Sequence, residues 1–200
     1  MDQERLQKQI DFILRIDEEK NILRQTHLSH HGRREDDAEH AWHMAIMAYL
    51  LKEYSNVPVD ISRVMIMCLI HDVVEIEAGD TYAYDEEGKK SQKAREEAAA
   101  EHIFGLLPED QRDELRSIFE EFDTGETAEA RFARAMDNFQ PLLLNDSNEG
   151  GDWKEHGVTR TQVEGRQCHT REGSEILYAK TEEILDANEA KGSLKHREEK

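Results

Sequence analysis

The stretch VMIMCLIHDVVEIEAGD, Val64 to Asp80, decides how this chain folds. Its first seven residues, Val64 to Ile70, are apolar without a break and run into His71 and Asp72. On periodicity alone such a run fits a buried strand as well as a buried helix. The length between Pro58 and Gly79 decides for a helix that starts at Asp60, reaches Ala78 and is buried on most sides. An ionised carboxylate in or beside a core is costly unless it is paired or holds a metal. The position of Asp72 therefore needs a cause.

The composition agrees with helices. The chain has 200 residues, 37% of them hydrophobic and 36% charged, with only 11 Gly and 3 Pro. Few breakers and many good helix formers favour an all-α fold. The length gives a prior of one domain, residues 1–185, with a charge-rich flexible tail at 186–200. The net charge is −19, from 26 basic and 45 acidic residues. That balance repels phosphate backbones and argues against nucleic acid as a partner. A small phosphate ligand in a local basic pocket stays compatible with it. Cys68 and Cys168 stand a hundred residues apart with no CxxC pattern, so they read as free thiols in a reducing compartment. The start, MDQERLQKQIDFILR, is charged and has no signal-peptide core. A seven-residue apolar run cannot span a bilayer. The expectation is a cytoplasmic protein with no membrane partner.

Along the chain, helical spacing begins at Leu6, Ile10, Ile13 and Leu14. RQTHLSHHGRREDD is polar and aperiodic and reads as a loop. Asp36 or Asp37 can cap a second helix, AEHAWHMAIMAYLLKEY. The Val64 segment is the third. TYAYDEEGKK reads as a loop, SQKAREEAAAEHIFGLL as a fourth helix, and PEDQRDELRSIFEEF as a fifth opened by Pro108. ETAEARFARAMDNFQPLLL is a sixth, kinked or ended near Pro141. NDSNEGGDWKEHG reads as a loop, and residues 159–186 form one last long helix. The prediction is a bundle of six or seven helices whose amphipathic faces allow a homodimer.

Glu75 lies at i+4 from His71 and i+3 from Asp72, on the same helix face. HDVVE thus presents an imidazole and two carboxylates to one cleft. The second helix offers His40 and His43, about 60° apart, of which one is the better ligand candidate. The sixth offers Asp137, which interrupts an apolar face that includes Phe132 and Met136. Two imidazoles and two carboxylates suit a borderline divalent ion such as Mn, Fe, Co, Ni or Zn. An ordinary reading stands beside this: core histidines are commonly hydrogen-bonded, and Asp137 can pair with Arg131 or Arg134.

His40, His71–Asp72 and Asp137, taken in order, resemble the H…HD…D pattern of the HD-domain metal-dependent phosphohydrolases. The flanks DAEHAWHMA, CLIHDVVEIEAGD, FGLLPED and FARAMDNFQPLL are similar to the branch that includes the 5′-deoxynucleotidases. The resemblance implies an α-helical bundle with His40, His71, Asp72 and Asp137 holding one divalent metal ion. It implies that Glu75 activates the attacking water and that Asp80 sits beside the leaving group or sugar. It makes Arg24 a phosphate-binding residue and Arg33 a weaker candidate for the same pocket. The implied activity removes the 5′-phosphate from nucleoside monophosphates, deoxy forms included. A phosphodiesterase, hydrolysis of another phosphate ester and a non-enzymatic metal or nucleotide binder are the alternatives. Nucleotidases of this branch carry an aromatic residue after the phosphate-binding arginine, where this chain has Gln25. Trp153 and His156 are candidates to line or close the site.

Overall fold

Two hydrophobic clusters meet at the end of the Val64 run. A computed structural model describes residues 3–195, the side chains of residues 86 and 89 excepted. Among the described residues there are ten α-helices and one two-stranded sheet. The larger cluster includes Met44, Met67, Cys68, Phe132, Met136 and Leu185. The smaller includes Phe12, Val73, Val74, Phe104 and Phe119. His71 and Asp72 fall between Cys68 and Val73, at the seam.

Helix α1 (Gln3–Ile16) leads through a 3-10 turn into strand β1 (Leu23–His27), which pairs antiparallel with β2 (Arg34–Asp36). This hairpin replaces the expected loop. Its turn places His30 and His31 at φ 59° and 57°. The strand escapes a hydrophobic pattern because its buried residue is an arginine, Arg24, while Leu23 faces outward. Asp36 then caps α2 (Asp37–Leu51): it accepts from the Glu39 N–H, and Glu39 accepts in return from Asp36. Asp37 is left free for another task.

Asp60 caps α3 (Ile61–Ile70) through the N–H groups of Ser62 and Arg63. The helix does not continue to Ala78 as expected. It tightens after Ile70, where Val73 N–H bonds the Ile70 carbonyl and Glu75 N–H the Asp72 carbonyl, each three residues back. A short α4 (Glu75–Ala78) follows and stops at Gly79, φ 76°. α5 (Glu86–Phe104) starts inside the expected loop because Asp85 caps it. α6 (Glu109–Thr124) follows Pro108 and ends on left-handed Gly125.

α7 (Ala128–Ser147) is the central helix and does not end at Pro141 but continues past it. A proline there withholds one N–H from the carbonyl four residues back, which is that of Asp137. A short α8 (Gly151–His156) occupies the next expected loop. The expected last helix is two helices, α9 (Arg160–Gly173) and α10 (Glu175–Ala190). A Cβ on Gly173 would stand 2.3 Å from the Arg131 carbonyl oxygen, so α9 packs against α7 more closely than a side chain allows. Ser174 breaks the run by capping α10. α10 continues to Ala190, Leu194 is buried, and Lys195 bridges to Thr159. Residues 196–200 of the expected tail lie outside the described residues. Among the described residues no helix is long and apolar enough to cross a membrane.

Candidate metal centre

His40 on α2 is fully buried, with Nδ1 3.0 Å from the Gln140 Oε1 and Nε2 3.2 Å from Asp137 Oδ1. Gln140 is itself fixed, because its amide nitrogen donates to Glu35 (2.6 Å) and meets His43 Nδ1 at 3.1 Å. The His40 Nδ1 must therefore donate, which turns the Nε2 lone pair toward Asp137. His71 repeats the device. Its Nδ1 donates to the Cys68 carbonyl at 3.0 Å, and its Nε2 makes no hydrogen bond although it is buried. Asp72 Oδ2 is 3.0 Å and Asp137 Oδ1 3.9 Å from that nitrogen. The Asp72 approach is close but lacks hydrogen-bond geometry. Both imidazoles thus have the far nitrogen tied down and the near one aimed at carboxylate oxygens, the orientation that metal-binding histidines take.

One ligand atom each from His40, His71 and Asp72 falls within 4.8 Å of the others. The donor set, its tautomers and the orphaned Nε2 fit a divalent ion with nitrogen and oxygen ligands. Such an ion would be held by His40, His71, Asp72 and Asp137. The tight turn after Ile70 is what aims two consecutive residues at one point, which a continuous helix would turn about 100° apart.

Charge is crowded here. Burial and the Arg24 charge push His40 down to about 4. Burial also lowers His71, but Asp72 and Asp137 outweigh it and carry it up to about 9. Against burial, His71 and Arg24 hold Asp72 far below the usual carboxylate range, and Arg166 and His40 do the same for Asp137. Glu75 moves the other way. Burial, Asp72 and Asp37 raise it well above an ordinary glutamate, and its Oε2 has no hydrogen-bond partner. Asp80 is raised by burial, against the pull of Arg24.

The structure brings His40, His71, Asp72, Asp137, Glu75, Asp80 and Arg24 together. All but His40 line one cavity of about 190 Å³. Arg24 Nη1 donates to Asp72 Oδ2 (2.7 Å) and to Asp37 Oδ1 (3.1 Å). Arg33 does not join them. It is exposed and forks onto Glu39 on the outer side of the hairpin. Trp153 lines a neighbouring small cavity together with Tyr82 and Tyr84, and His156 meets Tyr82 in a tilted ring contact with centroids 4.8 Å apart.

Three residues at the site had no signal that sequence reading picked up. Asp37 was a cap candidate, but it is fully buried, faces Arg24 and is raised to about 7 by burial and Asp72. Gln140 looked like part of an amphipathic helix. Arg166 falls within the expected last long helix, yet it comes within 3.5 Å of Asp137. The i+3 spacing from Asp137 to Gln140 could have flagged the second of these.

A family model for the HD domain matches residues 16–177. The chain belongs to the HD-domain family. Human 5′-deoxynucleotidase HDDC2 is 35% identical over 111 residues, 56% of this chain and 53% of that protein. The fission-yeast 5′-deoxynucleotidase hdd1 is 26% identical over 119 residues, 56% of this chain and 59% of that protein. The chain therefore matches only a little over half the length of these curated relatives. A crystal structure from Magnetospirillum magnetotacticum, described as a predicted metal-dependent phosphohydrolase, superposes with a TM-score of 0.92. It is 48% identical and covers 96% of each chain. This HD-domain chain thus shares the fold of that protein over nearly its full length.

Proposed function

We propose that this HD-domain protein is a metal-dependent phosphohydrolase that removes the 5′-phosphate from deoxynucleoside and nucleoside monophosphates. The observation that carries the reading is the pair of imidazoles, each with Nδ1 tied and Nε2 aimed at Asp137 or Asp72. The 5′-deoxynucleotidase names of the relatives and the close structural likeness to a metal-dependent phosphohydrolase support it. A bound divalent ion supplies a more acidic water and polarises a phosphoryl oxygen. The protein does the rest. Glu75, with its proton affinity raised, takes a proton from the attacking water. Asp80, raised as well, gives a proton to the leaving oxygen or holds the sugar. Arg24 places part of its guanidinium at the phosphate while Asp37 and Asp72 fix its angle.

We place the protein in the cytoplasm, in keeping with its free Cys68 and Cys168. A homodimer is the assembly its surface suits, since α1 exposes Ile13 and Leu14 and α2 exposes Trp42, Tyr49 and Leu50. Light scattering should give twice the chain mass.

The activity is tested by phosphate release from a panel of ribo- and deoxyribonucleoside 5′-monophosphates and a model phosphodiester. Chelator-stripped protein is refilled separately with Mn, Co, Zn and Mg. Metal-dependent release from the monoesters is expected. Release from the diester alone, or none with any metal from folded protein, removes the proposal.

A further inference from the structure

Arg166 of α9 stands where the cavities of the site meet. It lines the 190 Å³ cavity at the candidate metal ligands, the small cavity of Tyr82 and Trp153, and an open cleft of about 550 Å³ along α9. Its Nη2 lies 3.5 Å from Asp137 Oδ1, beyond a good hydrogen bond, and its side chain keeps 27% exposure. Arg24 is in the opposite condition. Its side chain is 11% exposed and one nitrogen is held by two carboxylates.

A phosphate monoester is close to a dianion at neutral pH. Asp72, Glu75, Asp80 and Asp137 line the cavity it would occupy, and each carboxylate that is ionised opposes it. Asp37 and Asp72 both pair with one nitrogen of Arg24, which offsets its charge. Among the described residues Arg166 makes no hydrogen bond, and it brings a second guanidinium to the same cavity. A guanidinium fork meets two phosphate oxygens at once and fixes both charge and orientation.

Volume separates the two places where the organic part of the ester can lie. The aromatic-walled cavity holds about 70 Å³, far below the ~300–1,000 Å³ of ordinary ligand pockets. The α9 cleft, with Tyr84, Asn138, Thr161, Gln162 and His169 on its walls, lies inside that range. We propose that Arg166 is a phosphate anchor, gripping the ester's phosphate beside Asp137 while the organic group lies in the α9 cleft. The proposal deepens the phosphohydrolase reading and rests on it for the nature of the substrate.

Metal-loaded full-length protein is titrated with inorganic phosphate by calorimetry, as wild type, Arg166→Met and Arg166→Lys. Bound metal and Tm are measured on each. The expected result is at least tenfold weaker phosphate binding for Arg166→Met and an intermediate loss for Arg166→Lys, with metal content unchanged. KM for the best monophosphate should rise in parallel. Affinity of Arg166→Met within twofold of wild type overturns the anchor, as does absence of phosphate binding by wild type. Loss of metal from Arg166→Met also overturns it, since Arg166 would then serve Asp137 and not the ligand. If Arg166→Met does not fold, unchanged affinity in Arg166→Lys overturns it and a loss of threefold or more supports it. Wild type that binds phosphate through Arg166 yet releases none from any monophosphate removes the phosphohydrolase reading and leaves the anchor. Wild type that turns over normally beside an Arg166→Met of equal affinity does the reverse.

Discussion

Asp72 bonds Arg24 through the same oxygen that approaches the bare nitrogen of His71. Removing it takes away a proposed ligand and frees a buried guanidinium, so Asp72→Ala should lose both metal and turnover. Glu75→Gln keeps size and polarity but no base. It should retain metal, read by elemental analysis, and lose turnover by about 10²–10⁴-fold. Gln140→Leu removes the acceptor that sets the His40 tautomer. Metal affinity, read by competition with a chelating dye, should fall by about 10–100-fold. Glu19, 6% exposed with an unpartnered Oε1, is raised to about 8 by burial, helped by Asp72. Below pH 4.5 the folded and unfolded chains both hold its proton. As pH rises from 4.5 to 8 only the folded chain keeps it, so stability falls and the loss is complete above 8. Glu19→Gln should therefore be more stable by a few kcal/mol at pH 8.5, at about 1.4 kcal/mol per pKa unit. Denaturant titrations at several pH values should show that gain vanish below pH 4.5. At this scale the sequence announces residues that are out of place, such as Asp72 and Asp137 in apolar runs. It hides residues that are in place on a polar face and become important only through a distant partner, as with Arg166.

Among elements, the long helices are legible because a 3.6-residue period and a capping residue coincide: Asp36 for α2, Asp60 for α3, Thr127 for α7. The β-hairpin is not, because it buries an arginine against carboxylates and so has no hydrophobic alternation to read. The division of α9 from α10 falls at Gly173–Ser174, a short signal inside a long helical stretch: Ser174 caps α10 and Gly173 lets α9 come close to α7. Gly173→Ala puts a methyl group 2.3 Å from the Arg131 carbonyl and 2.8 Å from the Ala135 Cβ. The helices must separate, and urea unfolding should show a loss of about 1–3 kcal/mol. Because α9 carries Arg166, KM should rise in the same variant.

For the whole molecule, the −19 net charge and the acidic rim of the site oppose an anionic substrate at a distance. Salt screens that repulsion over a Debye length of roughly 10 Å at 0.1 M. The ratio kcat/KM should accordingly rise by a few-fold between about 20 and 200 mM salt, as stopped assays across a salt series would show. A fall would mean that the two site arginines already dominate the approach. Chelation should lower Tm, and a metal present at 1,000 times its Kd restores about 4 kcal/mol.

The site also has a history in time. His40, His71 and Asp72 belong to the first half of the chain, while Gln140 and Arg166 come well after them. During synthesis these three residues leave the ribosome roughly 5–20 s before Arg166, at ~5–20 residues per second. For that interval they face the cell without α9 over them. The order of translation thus opens a period in which an ion can reach two imidazoles and a carboxylate by simple diffusion. Once α9 settles on α7, Arg166 stands 3.5 Å from Asp137 on one wall of the site's cavity.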